Sequence, residues 1–395
     1  MKPLKGLKVL DLTTLNGYST MTLADYGAEV IKVERPKTGD PIRFWEPYKE
    51  GVSVYHTFLD RGKKSITLNL LSDEGKEIFK DLIKHVDVVV ENFRVGKMDE
   101  LGLGYEVLEK INPKLIYAAL TGFGSKGPLK KYPAFDIIVQ AKTGFMDFTG
   151  FADEAPTVIG FPISDQYSCL YLAAAISTAY FHVLRTGEGQ KVETSMWEAL
   201  FSAQEDKMYY HEIAGKTPKR TGNAHPEINP YDIIECKDGY VTLGVSTDPQ
   251  WANFALGFGK PEWAEDPKYK DMEPRGLNYF DDLRPKIVEL FKDLTKQQIA
   301  DVCSEYKVPA AACNTVVDAM EDVQIKSRNM VVEVNDQRIG PIKMVGKTAK
   351  FHQDNEFDDV IESAPLLGQN NDEMFKDILG YTDEKINGLS ENGVI

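Results

Sequence analysis

Short apolar runs alternate with helix-length segments through the N-terminal part of the chain, and this rhythm limits the fold more than any other feature. KVLDL (8–12), a helically spaced segment over 19–26, a stop at Gly27 and EVIKVE (29–34) read strand, helix, strand. KSITLNL (64–70) repeats the pattern. It leads into SDEGKEIFKDLIKHV, where Ser72 can cap and Ile78, Leu82, Ile83 and Val86 share one helical face. VDVVVEN (86–92) and KLIYAALTG (114–122) have the nearly continuous apolar character that a parallel strand covered on both faces requires. Together these segments predict a doubly wound α/β domain.

The chain of 395 residues exceeds what one core usually organises. From Asp165 to Leu184 a helix apolar almost all round is expected, buried between layers, followed by a turn and strand in GEGQKVETSM (187–196) and a second long helix from Trp197 to about Ala214. GKTPKRTGNAHPEINP (215–230) is a Gly/Pro/Asn-rich connection and marks a domain boundary. YDIIECKDGYVTLGV (231–245) predicts a hairpin about Lys237-Asp238-Gly239, and helices over 281–305 complete a smaller α+β unit. Strand-like NMVVEV and PIKMVG and a last helix near 370 then return to the first domain. The expected organisation is a large domain over 1–200, a linker over 201–230, a small domain over 231–320 and a C-terminal return over 321–395.

A net charge of −15 argues against nucleic acid or an anionic membrane as partner, since both demand a basic footprint. Four scattered cysteines give neither a zinc ribbon nor a disulfide framework. The opening MKPLKGLKVLDL is too quickly polar for a signal peptide, and no run approaches the ~18 apolar residues of a membrane span. A cytoplasmic protein is expected. GFGSKG (122–127) matches a phosphate-loop pattern, but Pro128 and Pro133 follow where a helix should begin. HEIAG at His211 lacks a zinc helix's second histidine, and no G-x-S-x-G elbow occurs.

Carboxylates remain. Asp136 and Asp165 each open a helix-like stretch, so capping is the default reading for both. Ser164, however, can cap in place of Asp165. A carboxylate in a first helical turn is kept ionised by the helix dipole, beside amides able to stabilise an oxyanion, which suits a nucleophile. The basic run RGKKS (61–65), with Arg35, Lys126, Lys130 and Lys131, reads either as solvated surface or as a site for a phosphorylated ligand.

Taken in order, GLKVLDLT, ADYGAEVIKVERPKTGDPIR, RGKKSITLNL, VVENFRVGKMDELGLGYE, NPKLIYAALTGFGSKGP, FDIIVQAKTGFM, GEGQKVETSM and APLLGQNNDEM resemble the class III coenzyme A transferases, a family that extends to α-methylacyl-CoA racemases. The resemblance implies a Rossmann-like domain built from both chain ends, a smaller domain between them and an interlocked homodimer. It implies no permanently bound cofactor, with coenzyme A as co-substrate and acyl-CoA and carboxylic acids as partners. The family's catalytic aspartate falls on Asp165, in PISDQYSC, with Asn16, His225 and Glu227 supporting the substrate. CoA contacts fall on Arg35, Leu68, Leu70, Asn92 and Phe93. Glu100 stands where formyl-CoA transferases carry an arginine, so one phosphate contact is either lost or supplied by Arg94 or Lys97. HPEIN (225–229) replaces their glycine-rich lid and argues against formate and oxalate, whereas LNGY resembles transferases of 2-hydroxy acids and enoates. Racemases place a histidine before the Asp136 position. Phe135 stands there and cannot move a proton, which favours transfer over racemisation, and the presence of Asp165 speaks against mere acyl-CoA binding.

Overall fold

A computed structural model describes residues 2–204, 207–351 and 360–395. The chain divides into two compact units, one of Met1–Thr143, Ile159–Glu205 and Val323–Ile395, the other of Gly144–Val158 and Asp206–Asp322.

The alternating runs of the first unit form one parallel sheet of β1 (Lys8–Asp11), β2 (Glu29–Glu34), β3 (Lys64–Thr67), β4 (Val88–Glu91), β5 (Ile116–Thr121) and β6 (Gln190–Ser195). Their order is 3-2-1-4-5-6. All four residues of β4 are buried, as its unbroken apolar sequence requires. Connections run outward from β1 on one side and from β4 on the other, so the loops leaving these two strands part and open a crevice at their C-terminal ends. On one face of the sheet α2 (Asp73–Ile83), capped by Ser72 accepting from the Gly75 amide at 3.0 Å, buries Ile78, Phe79, Leu82 and Ile83. Met374 and Phe375 from a turn over Glu373–Ile378, Leu389 from a helix over Asp383–Glu391, and Ile395 beyond that helix join that core.

The other face carries α1 (Tyr18–Asp25), α3 (Asp136–Lys142) and α4 (Ile163–Thr186). By length and composition α4 could cross a bilayer, but it packs against α1, β5 and β6. Only one side of it is covered. Cys169, Leu172, Ala173, Ile176 and Ala179 are buried, while Leu170, Tyr171, Phe181 and Leu184 are exposed, which corrects the expectation of burial all round. The expected second long helix is also divided, into Met196–Ser202 and Lys207–Glu212, with residues 205 and 206 outside the described residues.

In the second unit the expected hairpin forms from Tyr231–Cys236 and Gly239–Gly244, and Ala310–Ala312 pairs antiparallel beside it. The helices Arg284–Phe291 and Lys296–Glu305 are separate, the second begun by a capping box between Thr295 and Gln298. Trp251, Phe254, Tyr279 and Phe291 fill its core.

Candidate active site

Between β1 and α1 the chain must turn through residues 12–17 directly at the crevice. Side chains from several elements grip this loop by its backbone. Lys32 Nζ donates to the Thr13 carbonyl at 3.0 Å, and Lys63 Nζ to the Gly17 carbonyl at 3.3 Å. Asn92, just past β4, accepts from the Thr14 amide at 2.8 Å and donates to the Thr14 carbonyl at 2.9 Å. Asp40 accepts from the amide of Leu15 at 3.3 Å. Leu15 has φ of 66°, a left-handed conformation that costs a side-chain-bearing residue roughly 1–2 kcal/mol. A Cβ at Gly17 would lie 2.7 Å from Lys63 Nζ, so only glycine lets the ammonium approach.

Beneath the loop the two lysines enter a cage of buried charge. Lys63 contacts Asp11 and Asp60, each at 2.9 Å, and Lys32 contacts Asp40 at 2.9 Å. Burial alone would raise the carboxyls of Asp11 and Asp60, but the two lysines outweigh it and hold both below the usual range. Arg61 pairs with Asp25 at 2.6 Å, and Lys64 with Glu29 at 2.6 Å. The basic run is therefore neither solvated surface nor a phosphate patch.

Capping of α4 falls to neither of the expected residues. Asp136, opening α3, accepts from the Ser164 amide at 2.8 Å and the Ser164 hydroxyl at 2.7 Å, and its other oxygen from Gln140 at 2.6 Å. Asp165 makes no cap hydrogen bond. Its Oδ1 instead accepts from Asn16 Nδ2 at 2.9 Å, and Asn16 Oδ1 accepts from the Cys169 thiol at 3.2 Å. The carboxyl is pushed up to about 6, first by burial and then by the charge of Asp136, with the Asn16 hydrogen bond opposing. Desolvation thus outweighs the helix dipole that was expected to keep it low. Burial also pushes the Cys169 thiol up to about 12, so it is a proton donor at any working pH.

Asp165 and Asn16 line a cavity of about 630 Å³ together with Asn92, Phe93 and Arg94. A second cavity of about 430 Å³ is lined by Arg35, Lys37, Leu68, Leu70 and Lys97. Thr14 and Phe93 border both, at the crevice between β1 and β4. The structure thus brings the first-unit site residues expected from sequence to one pair of adjoining cavities. Glu100 pairs with Arg94 at 3.0 Å and reaches Lys97 at 3.5 Å, offsetting the two cations expected to replace its lost positive charge. Behind Phe93, Glu91 accepts from the Phe93 amide at 2.7 Å, and burial pushes its carboxyl up to about 7. His225 and Glu227 belong to the second unit, where His225 Nδ1 accepts from the amides of Glu227 and Ile228 at 3.1 and 2.9 Å, locking a local turn. Sequence reading missed Cys169 and the Lys32–Lys63 cage. The four-residue spacing of Asp165 and Cys169 was the available signal, since it stacks both on one helical face. Among the described residues no three His, Cys, Asp or Glu side chains converge as metal ligands.

Residues 4–371 match the model of CoA-transferase family III. The chain is 34% identical to a succinyl-CoA–D-citramalate CoA-transferase of Chloroflexus aurantiacus over 100% of its own length and 98% of the relative's. It is 38% identical to a succinyl-CoA:mesaconate CoA-transferase of Haloarcula marismortui, covering 85% of this chain and 86% of that one. A succinyl-CoA:glutarate CoA-transferase of Mus musculus is 33% identical, with 100% and 91% covered. Among solved structures, a CAIB/BAIF family protein from Brucella suis superimposes with a TM-score of 0.83 at 33% identity, over 95% of this chain and 99% of that one. With the match running through the sheet, the loop at its crevice and the helix that carries Asp165, the chain belongs to CoA-transferase family III.

Proposed function

We propose that the protein moves coenzyme A from a dicarboxylic acyl-CoA to a second dicarboxylic acid by covalent catalysis at Asp165. The observation that carries this reading is a carboxyl relieved of helix capping, hydrogen-bonded to an amide donor, and facing a cavity that adjoins a second one of a size to hold part of a long ligand. CoA would place its nucleotide end by Arg35, Leu68, Leu70 and Lys97, and run past Asn92, Phe93 and Arg94 to bring its thioester to Asp165.

Ionised Asp165 attacks the thioester carbonyl. A carbon–oxygen bond forms, the carbon–sulfur bond breaks, and the products are a mixed anhydride and CoA thiolate. The thiolate then attacks the Asp165 carbonyl, giving an aspartyl-CoA thioester and releasing the donor acid. The acceptor carboxylate attacks that thioester and expels the thiolate, which takes the acceptor's acyl group from the new anhydride and regenerates the Asp165 carboxylate. The additions made at the Asp165 carbonyl place an oxyanion on that side chain, and Asn16 Nδ2 is the donor beside it. Asn92 spends both ends of its amide on Thr14, so its part is to hold the loop against the ligand.

The dicarboxylic class rests on the relatives, whose named acids include citramalate, mesaconate and glutarate, and on Lys130 and Lys131 lining the cavity with Asp165. The racemase alternative is disfavoured because Phe135 cannot move a proton and Asp136 is engaged at α4. His225 and Glu227 are assigned substrate support on resemblance alone. The exposed apolar side of α4 supports a homodimer, with a second copy covering Leu170, Tyr171, Phe181 and Leu184. Four free cysteines fit the reducing cytoplasm. Incubation with succinyl-CoA and hydroxylamine, then peptide mass spectrometry, tests the reading. A hydroxamate at Asp165 supports it, while α-proton exchange without adduct, or neither outcome, overturns it.

A further inference from the structure

We propose that Cys169 is a positioning residue whose thiol fixes the side-chain amide of Asn16, so that its NH₂ group faces Asp165 throughout the reaction. This role rests on Asp165 being the acylated group.

The two ends of an asparagine amide are nearly identical in shape, and hydrogen bonds alone decide which end faces where. While Asp165 is ionised, its negative oxygen selects the NH₂ group by itself. Acylation removes that selection. As an anhydride or thioester the Asp165 carbonyl is a neutral and weaker acceptor, yet the next nucleophile must find an amide donor at that carbonyl and not a repelling oxygen. At those steps the orientation has to be set from the other end of Asn16.

There the Cys169 thiol donates to Asn16 Oδ1 at 3.2 Å, whereas the Tyr18 amide reaches the same oxygen only at 3.5 Å. Cys169 is fully buried, and Ser19 is the other hydrogen-bonding group against its sulfur. It follows Asp165 by four residues on α4, so one rigid helix face carries both the nucleophile and the group that aims its partner.

The test measures kcat and KM with succinyl-CoA and glutarate for Cys169→Ala and Cys169→Ser, each alone and combined with Asn16→Ala. Cys169→Ala is expected to lower kcat about tenfold, the worth of one hydrogen bond, with KM within about twofold. Cys169→Ser, whose hydroxyl also donates, is expected to recover kcat to within about threefold of the parent. In the Asn16→Ala background Cys169→Ala is expected to change nothing further, because its effect passes through Asn16. The proposal is overturned by parental kcat in Cys169→Ala, by a serine variant no better than alanine, or by an equal loss in the Asn16→Ala background. If the alanine variant does not fold, Cys169→Val, which fills the space without a donor, replaces it in every comparison. An Asp165→Ala control separates the two readings. Retained transfer there defeats the nucleophile assignment, whereas lost transfer with unaffected Cys169 variants defeats only the positioning role.

Discussion

Replacing Asp165 by asparagine removes a charge while keeping the shape and an oxygen to accept from Asn16. The wild-type carboxyl sits at about 6 against an ordinary 3.8, so the folded protein binds this proton more tightly than the unfolded chain. That difference corresponds to at most roughly 3 kcal/mol of destabilisation once the group is ionised. Below about pH 4 the group is protonated in both states and contributes nothing. Between about pH 4 and pH 6 the unfolded chain releases its proton first and stability falls, and above about pH 6 the loss is complete. The asparagine side chain carries no such penalty. The Asp165→Asn variant is therefore expected to match wild type near pH 4 and to exceed it by up to about 3 kcal/mol at about pH 8, while transfer drops to background. Urea denaturation at about pH 4, 6 and 8, at one protein concentration, reads the difference. A gap that does not change with pH, or a variant less stable than wild type at the alkaline end, would refute the claim that burial strains this carboxylate.

Asp136→Asn keeps an acceptor for the Ser164 amide, so its stability loss is expected to stay near or below about 1 kcal/mol in thermal or urea unfolding. It also removes the charge that helps raise Asp165, so the acid limb of the pH profile of kcat/KM should move below about pH 6. Arg35→Ala alters only the cavity remote from Asp165, and steady-state kinetics should show KM for the acyl-CoA rising about tenfold with kcat within about twofold.

The sheet was legible because its signal is local. A run such as VVVE has few alternatives to a covered strand, and the alternation with helices dictates parallel pairing. Asp165 was legible as the first turn of an apolar helix, though its freedom from capping was not. That depends on Asp136, distant in sequence and brought beside Ser164 only by the fold. The lysines of RGKKS posed the same problem. Asp60 directly precedes the run, but Asp11 and Asp25 lie far from it in sequence, and a basic run looks alike whether or not the fold supplies counter-charges. The apolar composition of α4 likewise announced burial without saying which side faces the sheet.

The charge cage under residues 12–17 gives the site an uneven response to ionic strength. Lys32 and Lys63 lie out of reach of dissolved ions, so salt barely weakens the bonds that hold the loop. The phosphate contacts proposed for exposed Arg35, on the neighbouring cavity, would have no such shelter. Brine would loosen the grip on the nucleotide while leaving the chemistry's alignment intact, and so separate docking from turnover in a single protein without any mutation.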